Sequence, residues 1–229
     1  VIRHEFAGDP LLRERLVREA RAAATLTHPH VCSLHDVGRQ GNVDYLVFEY
    51  VQGETLASRL NRGPLTTNEG LSLAIQLADA LDAAHRHGVV HRDLKPANIM
   101  LTSAGAKLLD FGLARLRDAV AFAARGSVTA KTEERLTAQG TFLGTLNYMA
   151  PEQLQGQETD ARADIFAFGA VLYEALTARR AFDGSSPASI IAAILEKQPL
   201  PLSPSQPLVP PALEHLVHRC CRRNHRWSG

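Results

Sequence analysis

Between positions 91 and 98 the chain reads HRDLKPAN, which places a carboxylate, a cation and a carboxamide in one short stretch. Phosphoryl transfer to a hydroxyl needs a carboxylate to orient the attacking oxygen, a cation beside the migrating group and oxygen ligands for a metal that bridges nucleotide phosphates. Asp93 can orient the hydroxyl and accept its proton, Lys95 can neutralise developing charge, and Asn98 can offer a carbonyl oxygen to the metal. Asp110, in Asp110-Phe111-Gly112, supplies a second oxygen ligand of the kind that hard Mg²⁺ prefers.

Those residues need elements that hold them. Asp9-Pro10 reads as a helix start, and Leu12, Leu16, Ala20, Ala23 and Ala24 continue at helical spacing to about Leu26. Strand-like runs at 31–37 and 45–50, joined through a polar turn with two glycines, predict a hairpin. Thr66 and Glu69 have capping-box spacing, and Leu71, Ile75, Ala78, Leu81 and Ala84 extend a long amphipathic helix to near Gly88. Short strands are expected at 99–101 and 107–109, and helices at 164–176 and 188–197. Residues 117–147 lack sustained periodicity, as expected of a regulatory loop, and 198–211 holds half of the chain's 12 prolines, which excludes regular helix there.

Composition narrows the class. The chain has 229 residues and is 45% hydrophobic, enough for a sizeable core. Its net charge is 25 − 24 = +1 with no like-charged block, so neither a nucleic-acid arm nor a polybasic membrane tail is present. The mostly apolar run from Ile165 to Leu176 is too short and polar to span a bilayer. Three cysteines, Cys32, Cys220 and Cys221, do not make a disulfide framework and suit a reducing, cytoplasmic setting. No signal peptide is read at the start.

HRDLKPAN at 91–98, DFG at 110–112 and APE at 150–152, in that order, resemble the eukaryotic-like serine/threonine protein kinases of bacterial type over essentially the whole chain. The resemblance implies an α+β, bilobal fold: an N-lobe remnant of hairpin and regulatory helix over 1–50, and a mostly helical C-lobe over 51–229. The latter would carry the catalytic loop at 91–98 and an activation segment at 110–152. It implies ATP and Mg²⁺ as cofactors, with Mn²⁺ possible, proteins bearing Ser or Thr as substrates, and self-phosphorylation.

Residue by residue, the resemblance makes Asp93 and Lys95 catalytic and Asn98 and Asp110 metal ligands. Glu19 matches the helix glutamate that pairs with a nucleotide-binding strand lysine. Phe48 matches the gatekeeper, Glu49, Tyr50 and Val51 the hinge that bonds adenine, and Met100 the apolar floor beneath it. Arg92 matches the arginine that binds a phosphorylated activation loop. Thr137 and Thr141 are the candidate phosphorylation sites, and Thr145 resembles the threonine that contacts the catalytic aspartate. Asp164 resembles the buried aspartate that holds the catalytic loop, and Glu152 the partner of a late arginine, here Arg226. His91 and Phe111 are structural.

The family's Gly-rich loop and strand lysine have no counterpart, since the first lysine in the chain is Lys95, and its last helix is also missing. The expectation is a kinase domain cut at both ends, of low activity by itself, from a parent of a kind that is often membrane-anchored. A kinase-like scaffold and a small-molecule phosphotransferase remain as alternatives. Two metal-like clusters are read as structural: His85 and His87 lie at a helix end and His91 belongs to HRD, while in the group of His218, Cys220, Cys221 and His225 the adjacent cysteines lack the paired spacing of zinc sites.

Overall fold

A computed structural model describes residues 24, 26–41, 43–111, 145–202 and 209–222. The proposed first helix, with Glu19, lies outside the described residues apart from its end, and so do Thr137, Thr141 and Arg226.

The hairpin pairs β1 (Leu34–Gln40) with β2 (Val43–Phe48) in antiparallel register, Val37 opposite Leu46 and Gly38 opposite Tyr45. The Tyr45 ring lies over Gly38, where a Cβ would stand 2.2 Å from it and push the ring aside. The hairpin begins later than the sequence pattern indicates. Val31 instead forms a parallel bridge to Leu108, with Cys32 N–H donating to Leu108 O at 2.8 Å and Leu108 N–H to His30 O at 2.8 Å. Residues 28–33 are therefore seated on a second sheet.

That sheet has the order β3 (Glu54–Thr55), β4 (Ile99–Thr102), β5 (Gly105–Leu108), all antiparallel. β3 is too short to leave a period in the sequence. It runs straight into α1 (Leu56–Leu60), where Thr55 accepts from Ser58 N–H as N-cap.

α2 (Thr67–Arg86) starts at the expected capping box: Thr66 Oγ1 accepts from Glu69 N–H, and Glu69 Oε2 accepts from Thr66 N–H at 2.8 Å. The Thr66 backbone donor holds the Glu69 carboxyl below the usual carboxylate range. Leu73, Leu77, Leu81, Ala80 and Ala84 form its buried stripe, while Ile75, read above as part of that stripe, faces solvent. Thr66→Ala is expected to lower stability by about 1 kcal/mol, measurable as a lowered midpoint of thermal unfolding.

α3 (Pro151–Leu154), α4 (Ala161–Thr177), α5 (Pro187–Glu196) and α6 (Pro211–Cys220) complete the described elements. α4 begins one turn before the expected boundary because Asp160 accepts from Arg162 N–H and caps it. It is buried nearly all round, which explains why the sequence shows a continuous apolar run there instead of an amphipathic stripe. α6 crosses it so closely that a Cβ at Gly169 would lie 2.6 Å from Cys220 Cβ. Cys220 and Cys221 are thus packing residues: burial pushes the Cys220 thiol up to about 11 and that of Cys221 higher. No helix among the described residues is long and apolar enough to cross a membrane.

Candidate active site

The segment 91–98 is an irregular loop between α2 and β4, closed by a 3-10 turn at Pro96–Asn98. A loop of this kind is held by side chains, and Asp164, wholly buried on α4, is the principal one. Its Oδ2 accepts from His91 N–H at 2.8 Å and its Oδ1 from Arg92 N–H at 2.7 Å, while His85 Nε2 lies 2.8 Å from Oδ2 and donates to it. Arg92 has φ 65, the left-handed region that is strained for a residue with a Cβ, and the backbone bonds of His91 and Arg92 to Asp164 help to hold it there.

His91 fixes the next step. Its Nε2 faces Leu109 O at 2.9 Å, and because a carbonyl only accepts, Nε2 carries the proton. Nδ1 is then the acceptor for Asp93 N–H at 3.3 Å. The imidazole packs at 4.6 Å, tilted, against the Phe111 ring, so the loop and the Asp110-Phe111 segment share one support. Asp110, at φ 59, is a second left-handed residue, and Leu109 N–H before it donates to Asn98 O at 2.9 Å.

Asp93 and Lys95 are nearly excluded from solvent, with side chains 8% and 12% exposed. Lys95 Nζ donates to both Asp93 oxygens at 2.9 Å and to Thr145 Oγ1 at 3.0 Å. Asn98 Nδ2 donates to Asp93 O at 2.8 Å and to Asp93 Oδ2 at 3.1 Å. With its nitrogen committed, Asn98 has Oδ1 to offer a cation, and the carboxylate of Asp110 is of the oxygen-donor type that a hard divalent ion takes.

Thr145 opens the segment that leads to α3. Asn147 is buried, accepts from Arg180 Nη1 at 3.0 Å and donates to Phe182 O at 2.7 Å. The Tyr148 hydroxyl donates to Glu174 on α4. Burial pushes the Glu174 carboxyl above its usual range against the pull of Tyr148 and Arg180, and burial likewise pushes the Tyr148 phenol up. A folded-state carboxyl raised in this way contributes stability that is full below the ordinary Glu range and is lost as pH rises through the raised value. Glu174→Gln keeps an acceptor for Tyr148 and removes the titration. Relative to wild type, the variant is expected to gain stability between about pH 4 and about pH 7, measured as denaturant midpoints across that range.

The hinge positions lie at the end of β2. Glu49 N–H donates to Ser33 O at 2.9 Å, and its carbonyl oxygen accepts from Cys32 Sγ at 3.8 Å. Burial pushes the Glu49 carboxyl up, but Lys107 and Ser33 N–H outweigh it and hold the group below its usual range. Tyr50 is 93% exposed, Val51 half-buried, and Phe48 and Met100 half-buried on β2 and β4. Glu152 sits in the first turn of α3.

Four further residues contribute to the site without being evident from the sequence. His85, considered above only as a metal-like histidine, is a partner of Asp164, 79 positions away. Lys107 pairs with Glu49, Glu174 with Tyr148, and Gln153 Nε2 donates to Arg92 O at 3.1 Å. Only His85 and Gln153 carried a signal, through their nearness to HRD and APE.

The class is now defined: residues 3–227 match the protein kinase domain family, and the chain belongs to it. It is 41% identical over 218 residues to the serine/threonine-protein kinase PknH of Mycobacterium bovis, covering 94% of this chain and 34% of that one. It is 35% identical over 230 residues to PknB of Mycolicibacterium smegmatis, covering 98% and 35%. A probable serine/threonine-protein kinase of Clostridium acetobutylicum is 36% identical over 225 residues, covering 97% and 32%. The crystal structure of the Mycobacterium tuberculosis PknI kinase domain, C20A mutant, superposes with a TM-score of 0.66 at 27% identity, covering 94% of this chain and 72% of that one. The fold is the α+β protein kinase fold, and the chain is a catalytic domain of the bacterial serine/threonine kinase type. It spans about a third of the length of these curated relatives.

Proposed function

We propose that the protein of which this chain forms the kinase domain transfers the γ-phosphoryl group of ATP to Ser or Thr hydroxyls of proteins, including its own. The observation that carries the reading is Lys95 Nζ, bonded at once to Asp93 and Thr145, with Asn98 fastened to the same carboxylate.

In this reading the acceptor hydroxyl lies against Asp93, its oxygen forms the bond to the γ-phosphorus, and the bond to the β-phosphate oxygen breaks to release ADP. Asp93 orients the hydroxyl and takes its proton as transfer completes. Lys95 offsets negative charge on the migrating group, and Thr145 fixes the ammonium relative to the segment that would receive the peptide. Mg²⁺, or Mn²⁺ in its place, held by Asn98 Oδ1 and Asp110, would neutralise the nucleotide phosphates. Glu49 and Val51 bond adenine through the backbone, and Met100 packs beneath it. Glu19 pairs with a strand lysine, Arg92 receives phosphate on Thr137 or Thr141, and Arg226 pairs with Glu152. The division at residue 50 into N-lobe and C-lobe parts and a cytoplasmic setting belong to the same proposal.

The acceptor class is the test. The full-length gene product, given γ-labelled ATP and Mg²⁺ with a mixed protein substrate and an aminoglycoside together, is expected to yield phosphoserine and phosphothreonine. Label confined to phosphotyrosine or to the aminoglycoside overturns the proposal.

A further inference from the structure

The geometry points to Gln153 as a positioning residue that locks the peptide group between Arg92 and Asp93 and ties it to the start of α3. The inference rests on the role proposed for Asp93.

The Gln153 side chain makes two bonds at once. Its Oε1 accepts from Ala150 N–H at 2.9 Å, and its Nε2 donates to Arg92 O at 3.1 Å. One amide orientation alone satisfies both, because Ala150 N–H only donates and the Arg92 carbonyl only accepts. The first bond is half of a capping box; Ala150 has no side-chain acceptor to return the other half. Gln153 therefore spends one end of its amide on the entry to α3 and the other on the catalytic loop.

The bond to Arg92 O falls at a decisive place. Arg92 O and Asp93 N–H belong to one planar peptide unit. Its oxygen is held by Gln153 and its N–H by His91 Nδ1 at 3.3 Å, so the unit is fastened at both ends. Arg92 at φ 65 stands in the left-handed region, where the preferred backbone geometry does not keep this peptide in place. Rotation of the unit swings the Cα of Asp93, and with it the carboxylate, out of line. A misplacement on the ångström scale is costly to a group that must align a nucleophile. The same side chain makes that alignment depend on residues 150–153 being in their folded place, so the end of the activation segment and the carboxylate are set together.

The test compares wild type, Gln153→Met, Gln153→Glu and Asp93→Asn in the full-length gene product. Gln153→Met keeps the length and apolar stem and loses both bonds. It is expected to lower kcat about tenfold, with KM for ATP within about twofold of wild type. Gln153→Glu is nearly isosteric. Ionised, it sets a carboxylate oxygen against Arg92 O; protonated, it donates to that oxygen as glutamine does. Its kcat relative to wild type is expected to be about tenfold down at about pH 8 and to recover at least about threefold near pH 5.5. A misfolded variant does not recover on acidification, which separates positioning from general damage. A pH-independent ratio for Gln153→Glu, or a wild-type kcat in Gln153→Met, overturns the inference while an inactive Asp93→Asn leaves the proposed function standing. An Asp93→Asn variant as active as wild type overturns the proposed function and this inference with it.

Discussion

Asp93→Asn is expected to lower kcat about a thousandfold while KM for ATP stays within about twofold. The substitution keeps size and shape, and Asn98 Nδ2 keeps its 2.8 Å bond to the backbone oxygen of residue 93. What is lost is charge and basicity. Lys95 Nζ holds both carboxylate oxygens at 2.9 Å, an arrangement in which the aspartate is an ionised acceptor. A carboxamide cannot accept the hydroxyl's proton, and its nitrogen presents a donor where the substrate hydroxyl also donates. Glu49, Val51 and Asn98 Oδ1, the groups proposed to face the nucleotide, are not themselves substituted, so the effect is expected to fall on turnover. Steady-state kinetics on the full-length gene product, with ATP and protein substrate varied separately, measures the split.

Asp164→Ala has the largest expected effect on stability, a loss of about 3 to 5 kcal/mol. Asp164 is 0% exposed and accepts from three donors, the backbone N–H groups of His91 and Arg92 and the ring of His85. Truncation strands all three in the interior, and a buried donor without an acceptor costs its full desolvation. It also releases Arg92 from its left-handed backbone, so the loop carrying Asp93 loses its shape along with its support. Denaturant unfolding is expected to show the loss, and Asp164→Asn, which keeps acceptor capacity at one atom, is expected to lose less. Equal stability of Asp164→Ala and wild type contradicts this account of the loop.

The sequence was most legible where a local interaction carries the information. Thr66 and Glu69 lie three residues apart and form the expected cap, and α5 falls within a residue of its expected bounds. The order HRD, DFG, APE disclosed the family because that chemistry requires those residue types in that order. Boundaries shifted where tertiary contacts decided them. Val31 left the hairpin for Leu108, and α4 gained a turn from the Asp160 cap.

What stayed hidden was the scaffolding between distant segments. His85 reads as a helix-end histidine until α4 brings Asp164 beside it, and Gln153 reads as an ordinary residue after a motif until it meets Arg92 O, 61 positions earlier. Neither pairing has a periodicity or a spacing to betray it. Glu174 is similar: a glutamate inside an apolar helix looks like an exception, and only the Tyr148 hydroxyl supplies the reason.

In the proposed mechanism the Asp93, Lys95, Asn98 and Thr145 cluster is the acceptor side of a protein kinase site. The most direct measurement is mass-spectrometric identification of phosphorylated residues after incubating the full-length gene product with ATP and Mg²⁺, in wild type and in Asp93→Asn. Phosphate is expected on Ser and Thr of protein in the wild type and none above background in the variant. Equal Ser and Thr phosphorylation in the two, or none in the wild type, contradicts that mechanism.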